Sequence, residues 1–113
     1  MDKWKIDYYY PNEKQVSSVE NFFNQLTREQ LKSLAKELKL LELCGNTLKL
    51  PHSKSLGHGL FELRERKFGY RIYYTFCKNQ IIILLNAGDK SSQRRDIKKA
   101  KELLANFLNE VVT

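Results

Sequence analysis

The chain has no apolar run long enough to cross a bilayer. Its longest stretch of large aliphatic residues is Ile81–Leu85, against the roughly 20 that a spanning helix needs. Met1–Ile6 lacks an apolar segment behind a positive start, so no secretory signal is expected. Cysteine is scarce: Cys44 and Cys77 have no metal-like spacing and no CxxC partner. They read as buried or free thiols in a reducing, cytoplasmic compartment. The only histidines, His52 and His58, have no Asp, Glu or Cys at ligand spacing beside them, so neither a metal nor another cofactor is expected. There is no repeat and no low-complexity linker, and 113 residues leave no room for a second domain, so residues 1–113 are read as one domain. What is present, 42% hydrophobic and 29% charged residues, is enough for one core under a polar surface.

Acidic residues are missing from one part of the chain in particular. Residues 1–48 carry seven Lys/Arg and seven Asp/Glu and are neutral. Residues 49–101 carry thirteen basic against four acidic side chains, a net +9, and residues 102–113 contribute −2. The whole excess lies in the middle, where it would attract a polyanion such as a phosphate backbone, or serve only solubility.

Trp4, Ile6, Tyr8 and Tyr10 alternate with Lys5, Asp7 and Tyr9 as in a strand, ended by Pro11 and Asn12. Asn12 and Gln15 resemble a helix start, followed by Val16, Val19, Phe23 and Leu26 at helical spacing. Thr27-Arg28-Glu29-Gln30 reads as a capping box for a second helix. Its stripe is Leu31, Leu34, Ala35, Leu38 and Leu41, and its stop is Gly45-Asn46. These helices are expected to form a hairpin packed on a sheet. Thr47 to His58 reads as a loop. Three strands follow, Leu60–Arg66, Tyr70–Phe76 and Gln80–Asn86, and their short links predict an antiparallel meander. Gly88 to Ser92 reads as a turn, with Ser91 or Ser92 capping a last helix. That helix aligns Ile97, Ala100, Leu103, Leu104, Phe107 and Leu108 on one face. The fold class expected is α+β.

Alternation assigns side chains to faces. Phe61 and Leu63, with Tyr70, Ile72, Tyr74 and Phe76, should meet the helices. Glu62, Arg64, Arg71 and Tyr73 are then left together on an open face. Two readings stand side by side. One is a cross-strand ion pair of Glu62 with Arg64 or Arg71. The other is a phosphate site, because the planar guanidinium fork matches a phosphate and keeps its charge, with Tyr73 either stacking on a base or half-buried. Gly88-Asp89-Lys90-Ser91-Ser92 lacks the spacing of a Walker loop. Lys90 precedes a helix cap, where an anion would be favoured, or is a solvated turn residue. His52 and His58 bracket a loop with Lys54 and could act as acid or base, or be plain loop residues. Arg94-Arg95 and Lys98-Lys99 form a basic helix face.

Gly59-Leu60-Phe61-Glu62-Leu63-Arg64 and Gly69-Tyr70-Arg71-Ile72-Tyr73-Tyr74 resemble the paired strand motifs of RelE/ParE-superfamily toxins. Leu84 to Gln93, with Asp96-Ile97 and Ala100, looks like the closing motif of the addiction-module killer branch, related to HigB and Gp49-like proteins. The likeness covers about residues 45–104. It implies a RelE-like domain and a type II toxin, a metal-independent, ribosome-dependent mRNA endoribonuclease that inhibits translation. Its implied partners are the ribosome, mRNA and a cognate antitoxin, often a helix-turn-helix protein. By that resemblance Arg64, Arg71, Tyr73 and Lys90 would form the catalytic set, and Lys54, His58, Lys67, Arg94 and Arg95 would contact RNA. The alternatives are a ParE-like toxin that binds DNA gyrase and an inactive toxin-like interaction module. Two features depart from the pattern: there is no Tyr or His after Gln80, and Ala87 replaces a glycine. The first leaves His52, His58 or Tyr73 as substitutes for the general base.

Overall fold

The fold is that of a computed structural model, which describes residues 3–11 and 16–112. Strand β1 (Lys5–Tyr8) leads to helix α1 (Ser18–Asn24) and helix α2 (Arg28–Cys44). Strands β2 (Ser53–Gly57), β3 (Leu60–Glu65), β4 (Tyr70–Cys77) and β5 (Ile81–Asp89) follow, and helix α3 (Gln93–Val112) closes the chain. The sheet order is β1-β5-β4-β3-β2, with β1 parallel to β5 and every other pair antiparallel. The expected α+β meander is present and is extended by a strand on each side.

Local chemistry explains the element ends. The helix start expected at Asn12 and Gln15 falls outside the described residues. Instead α1 begins at Ser18, and its cap is Ser17, whose hydroxyl accepts from the Val19 and Glu20 backbone N–H groups. Thr27 and Gln30 form the expected reciprocal capping box of α2. Gly45 ends α2 at φ +53°, and a Cβ there would lie 2.0 Å from the Trp4 indole. The segment read as a loop up to His58 contains β2, which the polar sequence Ser-Lys-Ser did not announce. As an edge strand it can face water on one side.

Two cores sandwich the sheet. On one face Val19, Leu34 and Leu41 pack with Leu63, Ile72, Tyr74, Ile82 and Leu84. On the other, Ala100, Leu103 and Leu104 of α3 pack with Leu60, Tyr73, Ile83, Leu85 and Tyr9. The first core is the predicted one, although Leu31 and Ala35 of the α2 stripe are exposed. The second corrects the expectation of an open sheet face, because α3 covers much of it. β5 continues to Asp89, so Gly88 belongs to the sheet and not to a turn. The register skips Leu85 between Asn86↔Tyr73 and Leu84↔Tyr74, which is a β-bulge. Leu85 then packs in the α3 core, and the Asn86 amide donates to the Asp96 carbonyl of α3 at 2.9 Å.

The entry to α3 is also not what the sequence suggested. A 3-10 turn, Lys90–Ser92, precedes it, and the capping side chain is Asp89, which accepts from the Ser91 and Ser92 backbone N–H groups. Burial of its apolar face drives α3 onto the sheet, each fully buried large side chain contributing about 1.5–3 kcal/mol.

Candidate functional site

Arg64 of β3 and Arg71 of β4 are direct cross-strand partners. The next pair along, Glu62 and Tyr73, lies on the same face, with Lys54 of β2 opposite Glu62 and Asn86 of β5 opposite Tyr73. The sheet thus places one row Lys54–Glu62–Tyr73–Asn86 beside a second row containing Arg64–Arg71–Gly88. Alternation in the sequence anticipated the grouping of Glu62, Arg64, Arg71 and Tyr73, but not that Lys54, Asn86 and Gly88 join them.

Glu62 is fully buried and ties the group together. Its Oε1 accepts from Arg64 Nε at 2.9 Å and from Arg71 Nη1 at 3.2 Å, while its Oε2 accepts from Gln93 Nε2 at 2.8 Å. Burial pushes the Glu62 carboxyl up, but the bonds from Gln93 and Arg64 and the charges of both arginines outweigh this and hold it below its ordinary value. The carboxylate is therefore ionised at neutral pH. The cross-strand ion pair read from the sequence is present, but it is buried and shared between both arginines. Arg71 has only 14% of its side chain exposed, and its Nε is buried with no hydrogen bond among the described residues. Arg64 is the more open of the two, at 29%. Together they present cationic N–H groups at the margin of the α3-covered face.

Tyr73 does not fit the stacking role. It has no exposed surface, and its hydroxyl faces Glu62 without a well-formed hydrogen bond. Burial first, and the Glu62 carboxylate next, drive its ionisation far above the ordinary tyrosine range. It is a core residue beneath the arginines and cannot stack on a base in this conformation.

The other predicted residues separate into two groups. Lys54 is exposed on the edge strand, in line with Glu62. Lys90 is exposed two residues beyond Gly88, the strand partner of Arg71, and lies against Gly69 in the β3–β4 turn. Arg94 and Arg95 are exposed on the first turn of α3, one and two residues after Gln93. Strand register and chain position put these four near the arginine pair. Lys67 turns instead towards α2, where its Nζ meets Glu29 at 2.9 Å and lies 5.3 Å over the Phe68 ring. His58 sits at the β2–β3 turn, with Lys101, Leu104 and Leu108 of α3. It is at the opposite end of β3 from Arg64, roughly 20 Å away at the usual strand rise, so it does not join the arginines.

His52 is closer. Its carbonyl accepts from the Arg64 backbone N–H at 2.8 Å, and its Nδ1 is 2.9 Å from Glu37 Oε1 on α2. In a neutral ring, donation of Nδ1–H to Glu37 leaves the lone pair on Nε2.

Gly88 and Asp96 complete the seat of α3. A Cβ on Gly88 would lie 1.9 Å from Asp96 Oδ2, so only glycine permits this approach. The Ser92 hydroxyl donates to the same Asp96 oxygen. Gln93 and Asp96 were visible in the sequence only as letters of the closing motif, which assigned them no role. Glu37 carried no signal at all, because its partner lies 15 residues away on a separate element.

Comparison with known proteins bears on the family and the fold. Residues 21–105 match the family described as "Phage derived protein Gp49-like (DUF891)", three quarters of the chain. The chain belongs to the Gp49-like family. Its fold is that of RelE toxins. The Gp49-like chain superposes on the archaeal RelE–RelB complex of Pyrococcus horikoshii with a TM-score of 0.58 at 18% identity, covering 77% of this chain and 94% of that one. For the intact Escherichia coli RelBE toxin–antitoxin complex the TM-score is 0.55 at 16% identity, over 76% and 95%. The isolated E. coli RelE toxin gives 0.55 at 15%, over 85% and 97%. A curated relative, an uncharacterized protein of Haemophilus influenzae, is 49% identical over 51 residues, 44% of this chain. The match spans about half of that relative's length, 52%. Among the described residues no helix is long and apolar enough to cross a membrane.

Proposed function

We propose that this Gp49-like chain is the toxin of a type II toxin–antitoxin pair, an endoribonuclease that cuts mRNA on the ribosome without a metal. The observation that carries the reading is the in-register pair Arg64–Arg71, anchored from beneath and cationic at its outer side. Membership of the Gp49-like family, the RelE fold and the net +9 of residues 49–101 support it.

A scissile phosphate at the outer edge of Arg64, with Arg71 behind it, would meet N–H donors placed where negative charge grows in the transition state. The ribose 2′-oxygen gives up its proton and attacks phosphorus, the bond to the 5′-oxygen breaks, and that oxygen takes a proton from water, leaving a 2′,3′-cyclic phosphate and a 5′-hydroxyl. His52 is the proposed proton acceptor. Glu37 holds its ring on the α2 side of the sheet edge, and what joins His52 to the site is the bond between its main chain and that of Arg64. Lys54, Lys90, Arg94 and Arg95 bind the flanking phosphates in this reading. RelE proteins of this fold have been solved in complex with RelB antitoxins. By analogy the partner of this chain is a cognate antitoxin, proposed to be a helix-turn-helix protein, and its site of action is the cytoplasm.

Induction of the wild type should arrest growth and leave codon-phased cuts in translated mRNA. Arg64→Ala with Arg71→Ala should abolish both. Full toxicity of that double variant would sink the site. An SOS response with intact mRNA would point to gyrase instead. His52→Asn should slow cleavage by roughly 10²–10⁴-fold in a ribosome-programmed assay while RNA binding is retained. A smaller loss is expected for Glu37→Gln.

A further inference from the structure

We infer that Glu62 is the positioning residue of the arginine pair, and that Gln93 braces it from α3. The inference rests on the reading of Arg64 and Arg71 as the phosphate grip, and it assigns that grip its internal geometry.

A carboxylate within an anion-binding site is at first sight counterproductive, because it removes one of the two positive charges the site offers. Its placement suggests what is obtained in return. Arg64 and Arg71 are directly opposed across two strands, where like charges repel and flexible side chains splay apart. Glu62 stands two residues before Arg64 on the same face of β3 and offers one oxygen, Oε1, to both. It takes Arg64 by Nε and Arg71 by Nη1, so the two guanidinium planes are oriented about a common point. Arg64 is held through Nε, which leaves its terminal nitrogens for another acceptor. Among the described residues no hydrogen bond engages them.

The anchor itself is immobilised. Glu62 has no exposed surface, and its second oxygen is bonded at 2.8 Å to Gln93 in the first turn of α3. That turn is fixed by two further contacts, the Asn86 amide on the Asp96 carbonyl and the close fit of Asp96 over Gly88. Rotation of Glu62 would break three bonds to donors and leave a buried charge unsatisfied, which is strongly disfavoured. The arginines therefore arrive at the phosphate already ordered, and side-chain freedom that binding would otherwise remove is removed on folding.

A group that only neutralises charge or stabilises the fold would not be expected to control the order of the arginines or the rate per folded molecule. Glu62→Gln keeps the shape and removes the charge; Gln93→Leu removes only the brace. Two readouts on the full chain test the role. The first is the Arg Nε–H resonances in nitrogen-15 NMR, sharp and slowly exchanging for Arg64 and Arg71 in the wild type. In Glu62→Gln they should broaden or average while the backbone spectrum is kept. The second is ribosome-programmed mRNA cleavage. There kcat should fall about 10–100-fold, as expected when reacting groups are misplaced, with KM unchanged or lower because the site has gained positive charge. Gln93→Leu should show the same split at roughly a tenth of the effect.

If Glu62→Gln does not fold, Gln93→Leu decides by the same two readouts. Arginine signals that stay ordered in the folded variants, or a kcat equal to the wild type, would overturn the inference. A wild type that does not cleave RNA at all would overturn the proposed function instead, and the NMR comparison would still decide whether Glu62 orders the arginines.

Discussion

Glu65 ends β3 with its carboxylate buried beneath the turn into β4. It accepts from the Ser33 hydroxyl at 2.6 Å and from the backbone N–H groups of Lys67 at 2.8 Å, Phe68 at 3.0 Å and Tyr70 at 3.3 Å. Burial raises its pKa, but the Ser33 bond and the three backbone donors win, and the net displacement is downwards. Glu62 is displaced in the same direction. A carboxyl whose folded pKa lies below its unfolded value, near 4.5, contributes stability that is fully present above that value. The contribution is lost as pH falls through the lower, folded pKa. The wild-type melting temperature should therefore hold from neutral pH to about pH 5 and decline below it. Glu65→Gln should cost about 1–3 kcal/mol at pH 7, because it offers one acceptor where the turn needs a charge. Its acid limb should be flatter than that of the wild type. A thermal melt series from pH 7 to pH 3 checks both, and an acid limb as steep as the wild type's would remove Glu65 from the account.

Single residues also mark how far the sequence could be read. Period-two alternation was sufficient to place Glu62, Arg64, Arg71 and Tyr73 on one face, because a strand leaves side chains no other choice. It carried no information about what covers that face. Tyr73 was therefore read as a possible stacking residue, when Leu103 and Leu104 of α3 and the sheet bury it completely. The histidines show the same limit. His52 and His58 looked equivalent in the sequence. They differ because β2 lies between them and carries His58 to the far end of β3 while leaving His52 beside Arg64.

At the scale of elements, the seat of α3 controls the site. α3 supplies Gln93 to Glu62, and the helix can approach β5 there because Gly88 has no side chain. The bulge at Leu85 contributes by turning Asn86 towards the Asp96 carbonyl. A bulge has no composition signature in this segment, and a strand that runs on through Gly88-Asp89 looks like a turn when only the glycine is counted. Those are the physical reasons the sequence misjudged the end of β5 and chose a serine over Asp89 as the cap. Gly88→Ala would place a Cβ against the Asp96 carboxylate, so the first turn of α3 must lift. The expected loss is about 1–3 kcal/mol, the usual range for overpacking. Cleavage should fall further than stability explains, since Gln93 moves with the turn. A variant that matches the wild type in both melting temperature and cleavage would show that the fit is not tight. The capping box at Thr27 and the stop at Gly45 were, by contrast, fully legible, because both are set by contacts within a few residues.

For the whole molecule, the fold gathers part of the charge excess read from residues 49–101 about the arginine pair and the first turn of α3, while Lys67 pairs with Glu29 and Lys101 lies by His58. Arg64, Arg71, Lys54, Lys90, Arg94 and Arg95 come from five different elements, which strand register and the entry of α3 bring close together. On the proposed reading the four peripheral cations contribute attraction to phosphates rather than chemistry. Affinity for single-stranded RNA should then fall with salt, with log K dropping by about 0.7 per phosphate contact for each tenfold increase in salt. Removing two such contacts in Arg94→Ala with Arg95→Ala should reduce that slope by about 1.4 and weaken binding at low salt. The positions of the cuts on mRNA should not change, because no base reading is assigned to either residue. The measurement is a binding titration of a short RNA at several salt concentrations, beside a cleavage map of the same variant. An unchanged slope would move the RNA path off α3, and a changed cleavage pattern would mean that this turn reads sequence as well as charge.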